Sequence, residues 1–95
     1  MVDVATPLFS LGKCVSTPGA MELLNESLEA PLSLLRRHQQ GDWGELCNED
    51  RQANQEALEC NARILSVYKV SEGSRIYVIT EADRSSTCIL LPDEY

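Results

Sequence analysis

The sequence reads as an α+β domain, three helices packed on a small, mainly antiparallel sheet in the order β-α-α-α-β-β-β. Two observations predict this. Up to about residue 60 the apolar residues recur at helical spacing between Pro and Gly punctuation, and from Arg63 onward they gather into short β-branched and aromatic runs separated by turn residues. A third observation bounds it: 95 residues, 43% hydrophobic and 24% charged, make one ordinary globular domain spanning 1–95.

The elements follow in order. Residues 1–10 carry Asp3 and Pro7 where a secretion signal would carry basic and apolar residues, so this segment is expected to be irregular and the protein cytoplasmic. Leu11 to Ser16 reads as a short strand. Thr17-Pro18 starts the first helix, because Thr caps free backbone N–H groups and Pro at the first position has no N–H to leave unpaired. Ala20, Met21, Leu23, Leu24 and Leu28 form its apolar stripe. Pro31 starts the second helix in the same way, with Leu32, Leu34 and Leu35 inward, Arg36-Arg37 outward and Gly41 ending it in a left-handed turn.

Asp42-Trp43-Gly44-Glu45 has the spacing of a capping box, and Asn48 offers a further cap for a third helix reaching Cys60, with Ala53, Ala57 and Leu58 as its buried edge. Ile64 to Val70 and Arg75 to Thr80 then read as a hairpin across the turn at Ser71 to Ser74. Ser86 to Leu91 is a last strand that Pro92 ends. Ile76-Tyr77-Val78-Ile79 is apolar at every position, so both faces of that strand are expected to be covered, one by helices and the other by packing or a partner.

The net charge of −7 repels phosphates, and Arg36-Arg37 is too little for a groove-reading surface, so direct nucleic-acid binding is not expected. No phosphate loop, dinucleotide fingerprint or nucleophile elbow occurs, and no apolar run is long enough for a membrane span. The four cysteines, Cys14, Cys47, Cys60 and Cys88, lie far apart with no Cys-x-x-Cys pair, and are expected to be free thiols with no metal and no cofactor.

Three features carry whatever chemistry there is. His38, the single histidine, precedes Asp42 by four residues, with Glu45, Glu49 and Asp50 near, and an acid–base or one-His site can be drawn there. The break expected at Gly41 and the capping roles of the acids favour a structural reading. Trp43 is expected to plug the junction of the second and third helices, the alternative being an exposed binding anchor. Thr80-Glu81-Ala82-Asp83-Arg84-Ser85 is a polar hairpin tip that a rigid sheet can present to a partner.

Arg37-His38-Gln39-Gln40-Gly41-Asp42-Trp43-Gly44, Ile79-Thr80-Glu81-Ala82-Asp83-Arg84-Ser85 and Leu90-Leu91-Pro92-Asp93-Glu94-Tyr95 together resemble a family of short bacterial proteins common on plasmids, phages and integrated elements. The likeness runs from Leu11 onward. Tyr77, Cys14 and Cys88 stand where the family tends to carry Trp, Val and Thr, which speaks further against a four-thiol metal site. The resemblance brings no catalytic residues with it. It implies a small acidic protein-binding module of mobile elements, an inhibitor or modulator of a host defence or nucleic-acid-handling protein. The partner is then another protein, with Thr80, Glu81, Asp83, Arg84, His38, Asp42 and Trp43 as candidate contact residues and self-association left open. The competing expectation is a small enzyme or ligand-binding domain using His38 with Asp42, or the Glu81–Arg84 turn.

Overall fold

A computed structural model describes residues 7–71 and 73–95. Its elements are β1 (Lys13–Ser16), α1 (Pro18–Glu26), α2 (Pro31–Gln39), α3 (Asn48–Cys60), β2 (Ile64–Lys69), β3 (Arg75–Thr80) and β4 (Ser86–Leu90), followed by a 3₁₀ turn at Pro92–Glu94. The fold class and element order are those expected. Of the irregular segment expected at residues 1–10, residues 1–6 lie outside the described residues; 7–10 carry no helix or strand.

The strands form one sheet in the order β1-β4-β3-β2. β2, β3 and β4 pair antiparallel, and β1 joins the free edge of β4 in parallel, Cys14 opposite Thr87 and Val15 opposite Cys88. Alternation along the strands separates two faces. Ile64, Ser66, Tyr68, Ile76, Val78, Thr80, Thr87 and Ile89 point to one face and are buried. There Ala20 and Leu24 of α1 and Leu34 and Leu35 of α2 pack on Tyr68, Ile76, Val78 and Ile89, the main core. Each fully buried aliphatic side chain in it contributes about 1.5–3 kcal/mol relative to exposure.

Thr17 and Gly41 act as the sequence suggests, whereas Asn48 is the first residue of α3 and Cys47 stands at its cap position with no side-chain cap bond. Thr17 accepts from the Ala20 N–H at 3.1 Å, and its hydroxyl donates to Glu94 at 2.6 Å, tying α1 to the 3₁₀ turn. Gly41 ends α2 at a φ of +85°.

Helix α3 does not lie across the sheet. It flanks the edge of β2, where Asn54 receives the Leu65 N–H at 3.2 Å and donates its amide to the Leu65 carbonyl at 2.7 Å. One side-chain amide thus satisfies the edge groups that a further strand would otherwise take. Beside it, Val67 donates to the Trp43 carbonyl and accepts from the Glu45 N–H. Gly44 sits between them at a φ of +76°, and a Cβ there would collide with the Val67 carbonyl.

Four local expectations are corrected. Asp42-Trp43-Gly44-Glu45 caps no helix; it is the segment that pairs with β2, and α3 begins only at Asn48. Asn54, not Ala53, joins Ala57 and Leu58 on the inner side of α3, because the edge it meets offers backbone polar groups. Leu28 leaves the stripe of α1: the helix has ended at Glu26, and Leu28 stands at a φ of +57° with 93% of its surface exposed. Leu32, in the first turn of α2, is 58% exposed as well.

Candidate functional site

His38 is fully buried on the inner face of α2. Phe9 and Trp43 meet it edge-on, with ring centroids 5.1 and 6.0 Å away. Its ring nitrogens go to hydroxyls, Nδ1 to Ser66 at 2.6 Å and Nε2 to Thr80 at 2.9 Å. The chain continues from Thr80 to Thr87 at 2.7 Å and ends on the Leu11 carbonyl at 2.8 Å.

That carbonyl can only accept, which orients every hydrogen behind it. Thr87 donates to Leu11, Thr80 donates to Thr87, and Nε2–H donates to Thr80. The neutral ring therefore carries its proton on Nε2, and Nδ1 accepts from the Ser66 hydroxyl. Desolvation, helped by the nearby Arg84 charge, lowers the imidazole pKa to about 3, so the ring is neutral at any ordinary pH. A serine against a histidine is nucleophile–base geometry. Here Ser66, His38 and Thr80 are sealed from solvent, and the third member is a hydroxyl where a carboxylate would orient a base.

The expected pairing of His38 with Asp42 is not formed. The Arg37 guanidinium donates to Asp42 at 2.7 Å, and the Gly44 N–H donates to the same carboxylate at 3.2 Å. The Arg37 contact chiefly holds the Asp42 carboxyl below the usual range. The Asp42 carbonyl meanwhile accepts from the Tyr68 hydroxyl at 2.6 Å. Trp43 is buried between the second and third helices, the structural role expected of it.

The Glu81–Arg84 turn divides. Arg84, at a φ of +61°, folds inward and donates to the carbonyls of Ala57 at 3.0 Å and Ala62 at 2.6 Å, neutralising the C-terminal end of α3. Thr80 is buried in the hydroxyl chain. Glu81 reaches toward Arg63 at 3.6 Å, and Asp83 stays exposed, accepting from the Ser85 N–H at 3.0 Å. Of the seven candidate residues, then, Asp42, Glu81 and Asp83 are the three whose side chains remain at the surface without a core or carbonyl contact, Asp42 held by Arg37.

The face of the sheet turned away from α1 and α2 is different. Strand register lays it out as rows. Val15, Cys88, Ile79 and Leu65 form one row across all four strands, and Leu90, Tyr77 and Val67 form the next. Lys13, Ser86, Glu81 and Arg63 border the rows at one end; Arg75 and Lys69, directly opposite each other, border them at the other. Tyr95 lies on Tyr77 with ring centroids 5.9 Å apart, and its hydroxyl accepts from Arg63 at 3.2 Å. Much of this face is covered within the chain: Ile79, Val67 and Leu90 are buried, Val67 in one cluster with Trp43 and Leu46, and Leu65, Tyr77 and Cys88 are half-buried; Val15, 43% exposed, and Tyr95, 65% exposed, are the apolar surface that remains. Apolar rows inside a charged border are the anatomy of a protein-binding surface.

Sequence reading touched this face at one point, the unbroken apolar run Ile76–Ile79, which called for a cover on both sides. Val15, Cys88 and Tyr95 could not be added, because the parallel pairing of β1 with β4 joins residues more than 70 positions apart in the chain. No family model, curated protein or solved structure matches this chain.

Proposed function

We propose that this chain is a small protein-binding module without catalytic turnover, and that it takes its partner on the sheet face turned away from α1 and α2, around the exposed Val15 and Tyr95. The observation that carries the reading is the contrast between the two faces. On the helix side His38, Ser66 and Thr80 are committed to one another and Arg84 to carbonyls. On the other side Val15 and Tyr95 stay exposed beside the half-buried Leu65, Tyr77 and Cys88, between charged borders. The resemblance of three segments to short proteins of plasmids, phages and integrated elements supports a setting in mobile elements, where such a module modulates a host defence or nucleic-acid-handling protein.

The surface proposed is broader than the turn singled out from sequence. It keeps Glu81, on the border, and sets aside Arg84, whose guanidinium faces inward. Capture of partners from the native host tests the reading. Val15→Asp and Lys69→Glu are expected to lose the captured protein while melting as the wild type does, since both side chains are exposed. Capture retained by both variants, or hydrolysis of a nucleotide or nucleic acid that His38→Ala abolishes, overturns it.

A further inference from the structure

The two edges of the sheet are treated differently. On β2 the outward backbone groups are taken, those of Leu65 by the Asn54 amide and those of Val67 by Trp43 and Glu45. On β1 they are not. In a parallel ladder alternate residues bond the neighbouring strand, and here the Lys13 N–H donates to the Ser85 carbonyl at 3.0 Å and the Thr17 N–H to the Ile89 carbonyl at 3.0 Å. Val15 shares their parity and faces β4, so Cys14 and Ser16 turn their N–H and C=O groups away from the sheet. Among the described residues no protein group bonds them, and Lys13, Cys14 and Val15 are exposed along this edge. An edge with unpaired groups is a template for another strand.

A second copy of β1 fits that template. Laid antiparallel about a two-fold axis at Val15, it sets Cys14 opposite the partner's Ser16, and the two residues exchange both of their backbone hydrogen bonds. Ser16 meets the partner's Cys14 in the same way, so the outward groups are satisfied by the chain's own sequence. Val15 then faces the partner's Val15 as a non-hydrogen-bonded pair, about 4.5 Å apart at Cα. Its side chain is 43% exposed in the single chain, and here apolar meets apolar. One step further out, Lys13 falls opposite the partner's Thr17. The Thr17 hydroxyl donates to Glu94 at 2.6 Å, and neither Lys13 nor Glu94 enters an ion pair among the described residues. Each end of the pairing thus brings an ammonium without a counter-charge toward a carboxylate already fixed in place.

We infer that the chain pairs with itself through β1, two copies joining antiparallel about Val15 so that one sheet runs across both. The inference goes beyond the protein-binding reading and rests on the strand edge, not on the sheet face. Such a contact is isologous and closes at two copies. Because the strand is only Lys13–Ser16, the contact is short and the association weak. The net charge of −7 opposes it at long range, but at physiological ionic strength fields are screened within about 8 Å, inside which the local complementarity acts.

Sedimentation equilibrium of the full chain in reducing buffer from about 10 μM to about 1 mM, the range of weak contacts, tests it. The weight-average mass is expected to rise with concentration toward twice the chain mass and no further. Amide hydrogen exchange reads the edge itself: the Cys14 and Ser16 amides should slow about threefold or more from the dilute to the concentrated end, while Val15 stays protected at both. Cys14→Pro removes an outward N–H without touching a bond to β4, so it should weaken association about tenfold or more and melt near the wild type. Cys14→Ser keeps that N–H and should associate as the wild type does. Lys13→Glu should weaken association about threefold. A single-chain mass throughout the range overturns the inference. So do association that Cys14→Pro leaves intact, association lost in Cys14→Ser, and Cys14 and Ser16 amides already protected in the single chain, which would show the edge covered from within. Lys69→Glu, on the far strand β2, should pair as the wild type does, so this inference and the protein-binding reading fail separately.

Discussion

Acidification should destabilise this protein through His38 by an amount the structure sets. The buried ring has a pKa of about 3 against an ordinary 6.5. Because the folded value is the lower one, the unfolded chain binds the extra proton between these limits. The contribution of the neutral ring is therefore complete above about pH 6.5 and is lost as the pH falls toward 3. Each pH unit in that window removes about 1.4 kcal/mol, so about 2 kcal/mol is gone at about pH 5 and about 3 kcal/mol at about pH 4. Against a total of about 5–10 kcal/mol for a domain of this size, that is a large share. Carboxylates such as Asp42, whose pKa is depressed, add losses of the same sign lower down, and a His38→Gln variant separates the two effects. Urea unfolding of wild type and variant between about pH 7 and about pH 4 should show their stability difference shrinking by about 3 kcal/mol. A difference that stays constant refutes the reasoning. Imidazole nitrogen shifts of the wild type provide a check that needs no variant: Nε2 should carry the proton and Nδ1 should not, with no titration near pH 6.5. A ring protonated on Nδ1, or titrating normally, contradicts the direction worked out from the Leu11 carbonyl.

The remaining predictions concern residues that sequence and structure assign differently. Trp43→Ala should cost about 3–5 kcal/mol in chemical denaturation, as expected of a buried indole at a helix junction; a loss under about 1 kcal/mol would place the ring at the surface. Arg84→Ala should lower stability by about 1–3 kcal/mol through the carbonyls it abandons, whereas Asp83→Ala should stay within about 0.5 kcal/mol. Equal effects at the two positions would contradict the division of the turn. Gly44→Ala should cost about 2 kcal/mol or more, combining a strained φ with a collision at Val67, and unchanged melting would argue against the pairing of that segment with β2.

What could be read from sequence and what could not separate along physical lines. Helix starts at Thr17-Pro18 and Pro31 and the left-handed stop at Gly41 are local chemistry, decided within a few residues, and the structure contains them, as it contains the Ser74 N–H donating to the Ser71 carbonyl at the hairpin turn. Leu28 falls on the α1 stripe by its spacing alone, because a period carries no information about where the helix stops. Asp42 and Glu45 had the spacing of a cap, but spacing does not show that the Trp43–Glu45 backbone would find the edge of β2. The hydroxyls of the His38 chain come from three separate strands, Ser66 and Thr80 lying 28 and 42 positions from it and Thr87 a further 7 from Thr80, and only sheet register brings them together. The inward fold of Arg84 was hidden for a related reason: a charged residue in a polar turn gives no sign that helix carbonyls lie within its reach. The sheet face turned away from α1 and α2 was half legible, since the apolar Tyr77 and Ile79 demanded a second cover and Ile79 is buried; its composition depended on strand order.

The most direct test of the binding account uses the two lysines, both exposed at the border of the sheet face turned away from α1 and α2. Amine acetylation of the chain alone and in complex with the captured host protein, read by mass spectrometry with the α-amino group as reference, compares their accessibility. The account predicts that Lys13 and Lys69 both lose reactivity in the complex, Lys69 sharing the effect of its neighbour Arg75 at the border of the apolar rows. Full reactivity of both lysines in a stable complex would place the partner elsewhere on the molecule and contradict it.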